Sequence, residues 1–448
     1  FIRSGTYTLN TGVSLPSNIK VKGEGRFNTV LQPSQSFTPL VSNRPALFNM
    51  ISQSVQQDIE ISDLGMVAQG DYALVYQANG PLKDIIIHDV YGSAPTGMPL
   101  VFFENAGYLG TSEDIFIYNV ITRTIPPFTI YSNGLYGYRN VYVSNIIDIV
   151  DGNTNDDRIA IIASAGGSAS SQTSNILIQN VIVRDVNIYI KSTASGLVNA
   201  FKLDAGTTKG GYYSVYENLI LDGMNVYVED VTSSSFSGNL LLVFNAPVLS
   251  NVVFKDINSA SMTNLFNNLF FLTFAYPRGL KIKDVSIRGG SVGSYRGIIQ
   301  LFQTLSPSSD DYVEVDGLYV RGMNAGSPAG VIMIDNSGGQ NINPNLVVAK
   351  RIFADFSGNI LLAGYNESGS AVGANSQVIL DDVYTNSSSP FNIYGSVKLV
   401  VRGMRGFSNI YSPYISVSTP SVPSSGTAAQ NTNPVPVLVY IYGGTVTE

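Results

Sequence analysis

The sequence predicts an all-β fold, a right-handed single-stranded parallel β-helix (solenoid) of about 12–13 coils. Three observations predict it: a six-residue strand motif that recurs along nearly the whole chain, a turn-forming residue at one fixed position of that motif, and a further apolar run between copies. With h for an apolar residue, the motif is h-x-h-x-[Asp/Asn/Gly]-h, clearest at Ile85-Ile86-Ile87-His88-Asp89-Val90. From a first copy at Ile19 it returns at Ile59, Ile115, Val141, Ile176, Leu219, Val252, Leu280, Val313, Val347, Val378 and Leu399. The mean step is about 32 residues, within the range of solenoids and propellers.

Each element follows from local chemistry. The h-x-h alternation is the period-2 signature of a strand with one buried face. The fifth position holds Asp63, Asp89, Asn119, Asn145, Asn180, Asp256, Asp284 and Asp382, or Gly23, Gly223, Gly317 and Gly403, with Arg351 the exception. These types enter the left-handed backbone region most cheaply, so a sharp bend and a second strand follow. A third strand comes before the next copy, as at Ala73-Leu74-Val75-Tyr76, Leu100-Val101-Phe102-Phe103, Ile159-Ala160-Ile161-Ile162 and Leu241-Leu242-Val243-Phe244. Antiparallel hairpins with two-residue turns, which a propeller blade needs, are not visible. At strand spacing the stack makes a rod of roughly 60 Å. The predicted organisation is residues 1–417 as the β-helix, with 1–33 its opening coil; 418–436, rich in Pro, Ser and Thr, as a linker or long loop; and 437–448 as a terminal strand.

Residues 1–33 carry a family resemblance. Gly5-Thr6-Tyr7, then Leu15-Pro16-Ser17-Asn18-Ile19-Lys20-Val21-Lys22-Gly23-Glu24-Gly25, then Thr29-Val30-Leu31, is similar to the opening coil of the pectate-lyase-like superfamily. That superfamily includes pectate lyases, polygalacturonase-like hydrolases and viral tailspikes, so the resemblance implies architecture more than chemistry. The polygalacturonase motifs do not transfer. Asn153-Thr154-Asn155 lacks the final Asp, His88 lacks flanking glycines, and no Arg-Ile-Lys occurs.

Composition excludes several classes. The 448 residues carry 25 Lys and Arg against 32 Asp and Glu, a net charge of −7, which argues against nucleic acid as a partner. With no Cys there is no disulfide framework, thiol nucleophile or Cys-based metal site. No apolar run is long enough to span a membrane. The chain begins at Phe1 rather than Met, which suggests processing or truncation, with any targeting segment outside it.

One column conflicts with an exposed strand face. The outward x position is apolar in six successive copies, Ile86, Phe116, Tyr142, Leu177, Ile220 and Val253, and charged at Lys20, Glu60, Lys281 and Glu314. A stripe of that kind is costly to leave wet. Either a long loop or terminal segment of the same chain covers it, or copies of the chain do, as the side-by-side trimer that the tailspike resemblance implies.

Candidate chemistry concentrates in two insertions. In Asp151-Gly152-Asn153-Thr154-Asn155-Asp156-Asp157, the oxygens of Asp151, Asn153, Asn155 and Asp157 alternate as in the opening half of an EF-hand loop. Position six is Asp156 rather than Gly and position twelve is Ile162 rather than Glu, so a solvated acidic turn competes with a calcium site. No cofactor is required, and calcium is the one ion this pattern could take. Two carboxylates from Asp151, Asp156, Asp157 and Asp204 would suffice for a glycosidase if adjacent coils bring them together. Tyr131, Tyr136, Tyr138, Tyr212, Tyr213 and Tyr216 are candidates for stacking on sugar rings, against the alternative of ordinary packing. The lone His88 reads as a surface residue. Asn366-Glu367-Ser368 and Asn386-Ser387-Ser388 fit the glycosylation sequon.

A stable rod, Tyr-rich loops, few charges and a self-association stripe point to a surface or virion attachment protein, tailspike-like or adhesin-like. Its partner would be a cell-surface glycan and its place extracellular, on a cell or virion surface, with little or no catalysis. The alternatives are a secreted or virion-associated polysaccharide lyase or glycoside hydrolase, and a structural surface-assembly subunit.

Overall fold

The structure, a computed structural model, describes residues 1–406 except 96, 106–109, 133–135, 153–155, 165–173, 206–212, 230–236, 246, 262–267, 273–275, 302–310, 336–344 and 367. The segments 418–436 and 437–448 therefore lie outside the described residues. The fold is the parallel β-helix that the motif predicts. No helix among the described residues is long and apolar enough to cross a membrane.

Most coils contribute one long strand and one short strand; the long strand is divided at Val248–Ser250 and Val253–Ser261, and Ser291–Val292 pairs with Asn324–Ala325 in a small sheet of its own. The first two legs, expected as separate strands, share the same neighbours and run together through the bend, as in Leu82–Ser93, Ser112–Arg123, Tyr138–Val150, Ile176–Ile190 and Ser214–Val228. They stack into a 16-stranded sheet. The third leg is the short strand, as in Val101–Asn105, Phe128–Ser132, Asp156–Ala163, Leu197–Asp204 and Ser237–Phe244, and these stack into a 13-stranded sheet. The backbone groups of one coil are satisfied by the next, and the inward residues of both sheets form one continuous core along the stack.

Two bends, not one, shape the long strands from Gln56–Val67 to Tyr276–Arg288, while the later ones keep a single bend, at Gly317, Arg351, Asp382 and Gly403. Asp58, Asp84, Asp114, Asn140, Asn180, Asn218 and Asn251 all have φ between 53° and 58°, and form a first column. Asp63, Asp89, Asn119, Asn145 and Asp185 form a second, five residues later along each strand. Side chains of the first column bridge successive coils, Asn180 Nδ2 donating to Asn140 Oδ1 at 3.0 Å and Asn218 Nδ2 to Asn180 Oδ1 at 3.2 Å.

The second bend column corrects the sequence register. Asn180 is in line with Asn140, 40 residues earlier, and Asn218, 38 residues later. The true successor of Val141 is therefore Val181, not Ile176. Ile176-Leu177-Ile178-Gln179-Asn180 and Val181-Ile182-Val183-Arg184-Asp185 both satisfy the motif, and only hydrogen-bond pairing chooses between them. The outward stripe accordingly contains Ile182 in place of Leu177, with Tyr142 paired to Ile182 and Ile182 to Ile220. Beyond Glu314 the column turns apolar again at Val348, Ile379 and Val400.

Candidate functional site

The short sheet gathers part of the expected carboxylate set. Outward positions of Asp156–Ala163 and Leu197–Asp204 bring Asp157, Lys202 and Asp204 together: Lys202 Nζ lies 2.9 Å from Asp157 and 3.3 Å from Asp204. Asn199 Nδ2 donates to Asp157 Oδ1 at 2.7 Å, and Asn245 Nδ2 to Asp204 Oδ1 at 2.8 Å. The Lys202 side chain is 18% exposed. Desolvation lowers its pKa, but attraction and hydrogen bonding to Asp157, then Asp204, outweigh that and hold it above its ordinary value. An ammonium so placed stays charged at neutral pH, so it cannot serve as a lyase base. It also fills the space between the two carboxylates, where a glycosidase would seat the glycosidic oxygen.

The other expected ligands diverge. Asp151 sits at the end of the long strand, pairing with Arg123 Nη2 at 2.5 Å and accepting from Thr193. The Thr193 bond, then Arg123, hold its carboxyl below the usual range. Asp151 and Asp157 thus answer to different cations, while Asn153 and Asn155 lie outside the described residues. Asp156 lies beside Asp157 in the short strand and pairs in register with Val198. Among the described residues no group of three or more His, Asp or Glu side chains could hold a metal ion.

Two of the six tyrosines require correction as glycan contacts. Tyr138 and Tyr216 are 0% exposed, inside the coil. They precede the first bend, which advances the strand by one residue and points them inward with Val141 and Leu219. The Tyr216 hydroxyl lies 2.7 Å from the carbonyl oxygen of Asp204 and 2.8 Å from that of Ile161, tying down the strand that carries Asp204. Tyr216→Phe is expected to cost about 1–3 kcal/mol, because it leaves buried carbonyls without this donor; an unchanged thermal midpoint would contradict that role. Tyr131 is half-buried against the Tyr76 and Phe102 cluster, Tyr136 is 38% exposed, and Tyr213 is half-buried against Val248. Tyr212 lies outside the described residues. His88 is stacked on Tyr118 with ring centres 4.8 Å apart, its Nδ1 2.7 Å from Asp89 Oδ2.

The groove the sequence reading missed lies nearer the C-terminal end of the stack. The turns that lead into three successive short strands enclose about 300 Å³, lined by Ser327, Ser357, Asn359, Ser388, Ser389 and Asn392 among glycines and alanines. None of its lining residues is acidic or basic. Asn359 Nδ2 donates to the Ser389 carbonyl and Tyr365 Oη to Asn392 Oδ1, at 2.5 and 2.9 Å. Tyr365 is flanked by Tyr295 and Tyr394, with ring centres 5.9 and 6.4 Å away, and Tyr394 is 50% exposed. The signal was Ser-Gly-Asn at 357–359 above Ser-Ser-Ser at 387–389, turn residues recurring at the same point of the coil. Of the two sequons, Asn386 is exposed beside this groove with Nδ2 on Asp355 Oδ1 at 2.8 Å. Asn366 is half-buried, and its Oδ1 accepts from Ser368 and Ser370.

No protein-family model matches the chain. No curated protein matches it in sequence. Among solved structures it is similar to the A-module of a mannuronan C-5 epimerase of Azotobacter vinelandii, with 10% identity and a TM-score of 0.38, covering 90% of this chain and 89% of that one. It is also similar to the catalytic domain of a GH87 α-1,3-glucanase in complex with tetrasaccharides, with 14% identity and a TM-score of 0.30, and in complex with nigerose, with 12% and 0.35. Each glucanase match covers 90% of this chain and 63% of the glucanase domain, so the chain spans less than two thirds of the length it is compared with. These neighbours are parallel β-helix folds, and the likeness is one of fold.

Proposed function

We propose that this chain is the glycan-recognising rod of an extracellular attachment protein, on a cell or virion surface, that binds without cleaving. The observation that carries the reading is the groove of serine hydroxyls and asparagine amides, whose lining Asn392 is bonded by Tyr365, the ring neighbour of the exposed Tyr394. Hydroxyls and amides match the alternating donors and acceptors of a sugar, and a tyrosine face suits its apolar side. The groove lining holds no acidic or basic side chain to act as general acid or base or to activate its serine hydroxyls. The Asp157 and Asp204 pair, the best alternative for catalysis, is closed by Lys202.

The test scores glycan retention and release of new reducing ends on one polysaccharide panel. Retention without release is expected. Tyr394→Ala is expected to weaken retention about tenfold, equivalent to about 1.4 kcal/mol, and Asn392→Ala by a similar factor, with the thermal midpoint little changed. Lys202→Met is expected to leave retention intact. Release of reducing ends that disappears in Asp157→Asn would replace this reading with the hydrolase one. Retention unaffected by both groove variants would remove the groove from the function.

A further inference from the structure

We infer that the apolar stripe on the long sheet is the contact surface between two copies of this chain lying antiparallel, related by a twofold axis that passes between the Tyr142 and Ile182 rows. The strand pairing fixes the order of rows. Six apolar rows run from Ile86 to Val253, and two charged rows bracket them at each end. Lys20 and then Glu60 lie on one side, Lys281 and then Glu314 on the other. At the centre of the stripe Phe116 is 40% and Ile182 38% exposed.

The sequence of charges chooses the arrangement. A twofold axis along the strand direction, between the fifth and sixth rows, sets Tyr142 on Ile182 of the other copy, Phe116 on Ile220 and Ile86 on Val253. Continued outward, it sets Glu60 on Lys281 and Lys20 on Glu314, opposite charges at both ends. In the neighbouring outward column it sets Lys22 against Asp316. Parallel rods, including the threefold assembly that the sequence resemblance implied, bring each row to its own copy, Lys20 to Lys20 and Glu60 to Glu60. Like charges in contact oppose that packing. Three flanking pairs run the other way, Glu113 facing Glu217, Asp63 facing Asp284 and Asp89 facing Asp256; Glu113 and Glu217 already hold Arg139 and Gln179 of their own chain, and Asp63, Asp89 and Asp284 hold Lys22, His88 and Arg351.

The size is sufficient. Ten rows at strand spacing by one leg of the coil give a face of about 43 by 15 Å, roughly 650 Å² per copy and near the standard for a specific interface. The rows of Val348, Ile379 and Val400 extend past the partner's first row and take no part.

The absence of native cysteine makes the geometry directly testable. Glu60→Cys and Lys281→Cys chains are prepared separately and together, then treated with a short bismaleimide at low protein concentration. In the antiparallel dimer, residue 60 meets residue 281 of the other copy, while the two residues 60 lie about 34 Å apart. Cross-linked dimer is therefore expected only from co-expressed chains, and neither variant alone should cross-link. Self-cross-linking of either single variant, a trimeric mass, or a monomeric mass of the parent protein by light scattering would overturn the proposal. Phe116→Lys is expected to yield monomer. Glu60→Lys and Lys281→Glu are each expected to weaken the dimer at least tenfold, and the double exchange to restore it. A double exchange no better than the singles would also overturn it.

Discussion

Arg158→Met is expected to lower the stability of the rod by about 3–5 kcal/mol, the largest loss of any single change considered. Arg158 and Asp148 are both 0% exposed, with Nε to Oδ2 at 2.6 Å and Nη2 to Oδ1 at 2.7 Å. The guanidinium also donates to the carbonyls of Thr124 and Ile125 at 2.9 and 2.7 Å, and Thr122 Oγ1 donates to Asp148 Oδ1 at 2.8 Å. The pair thus closes the turn between Arg123 and Phe128 from inside the coil. Removing the arginine leaves a buried carboxylate with the Thr122 hydroxyl but no cation, and takes the guanidinium donors from two carbonyls, which costs far more than the pair contributes over an apolar substitute. Asp148→Leu with Arg158→Met is accordingly expected to recover most of the loss. Because a solenoid unfolds in blocks, the readout is the thermal midpoint together with protease cleavage near 124–158. A double variant as unstable as Arg158→Met alone would show that the site needs the ion pair itself.

What the sequence conveyed about the fold was the part set by local periodicity. Alternation at Ile85-Ile86-Ile87 and a left-handed residue at Asp89 specify a strand and a bend without any long-range information. The register around Ile176 was not legible, because two consecutive five-residue units there obey the same rule and that coil contains both bends. Only pairing of Asn180 with Asn140 and Asn218 distinguishes them. The same bends explain the tyrosines: Tyr138 and Tyr216 look exposed by simple counting, yet the skipped residue at Asn140 or Asn218 reverses the phase. The short strands shift phase as well: Arg158 and Ile159 are both buried, as are Ala200 and Phe201, so Asp157 before the shift and Lys202 and Asp204 after it reach the same outer face.

The groove was hidden for a different reason. Its walls come from turns of three coils, and Ser357 is brought over Ser387 only because the coil between them has the right length, 30 residues from Asn359 to Ser389. Turn residues such as Ser, Gly and Asn recur throughout the chain, so composition alone does not single these out. A site made by stacking is legible only once the register is known.

Lys202→Met tests whether the ion triad is held by charge or by packing. At pH 7 the variant is expected to lose about 1–3 kcal/mol, because Asp157 and Asp204 would face each other without the cation between them. Two like charges so close repel each other wherever both are ionised, and that penalty fades as acid protonates them. The gap between variant and parent should therefore be widest at pH 7 and shrink toward pH 4. The parent behaves oppositely at the alkaline end. Lys202 is raised above 10.5, so its contribution is complete below that pH and is lost only as pH climbs past it. Thermal midpoints of both proteins from pH 4 to 12 supply the comparison. Equal destabilisation at pH 4 and pH 7 would assign the effect to the aliphatic stem of the lysine. A gap that closes on acidification would show that Lys202 acts through charge, holding Asp157 and Asp204 together on adjacent coils.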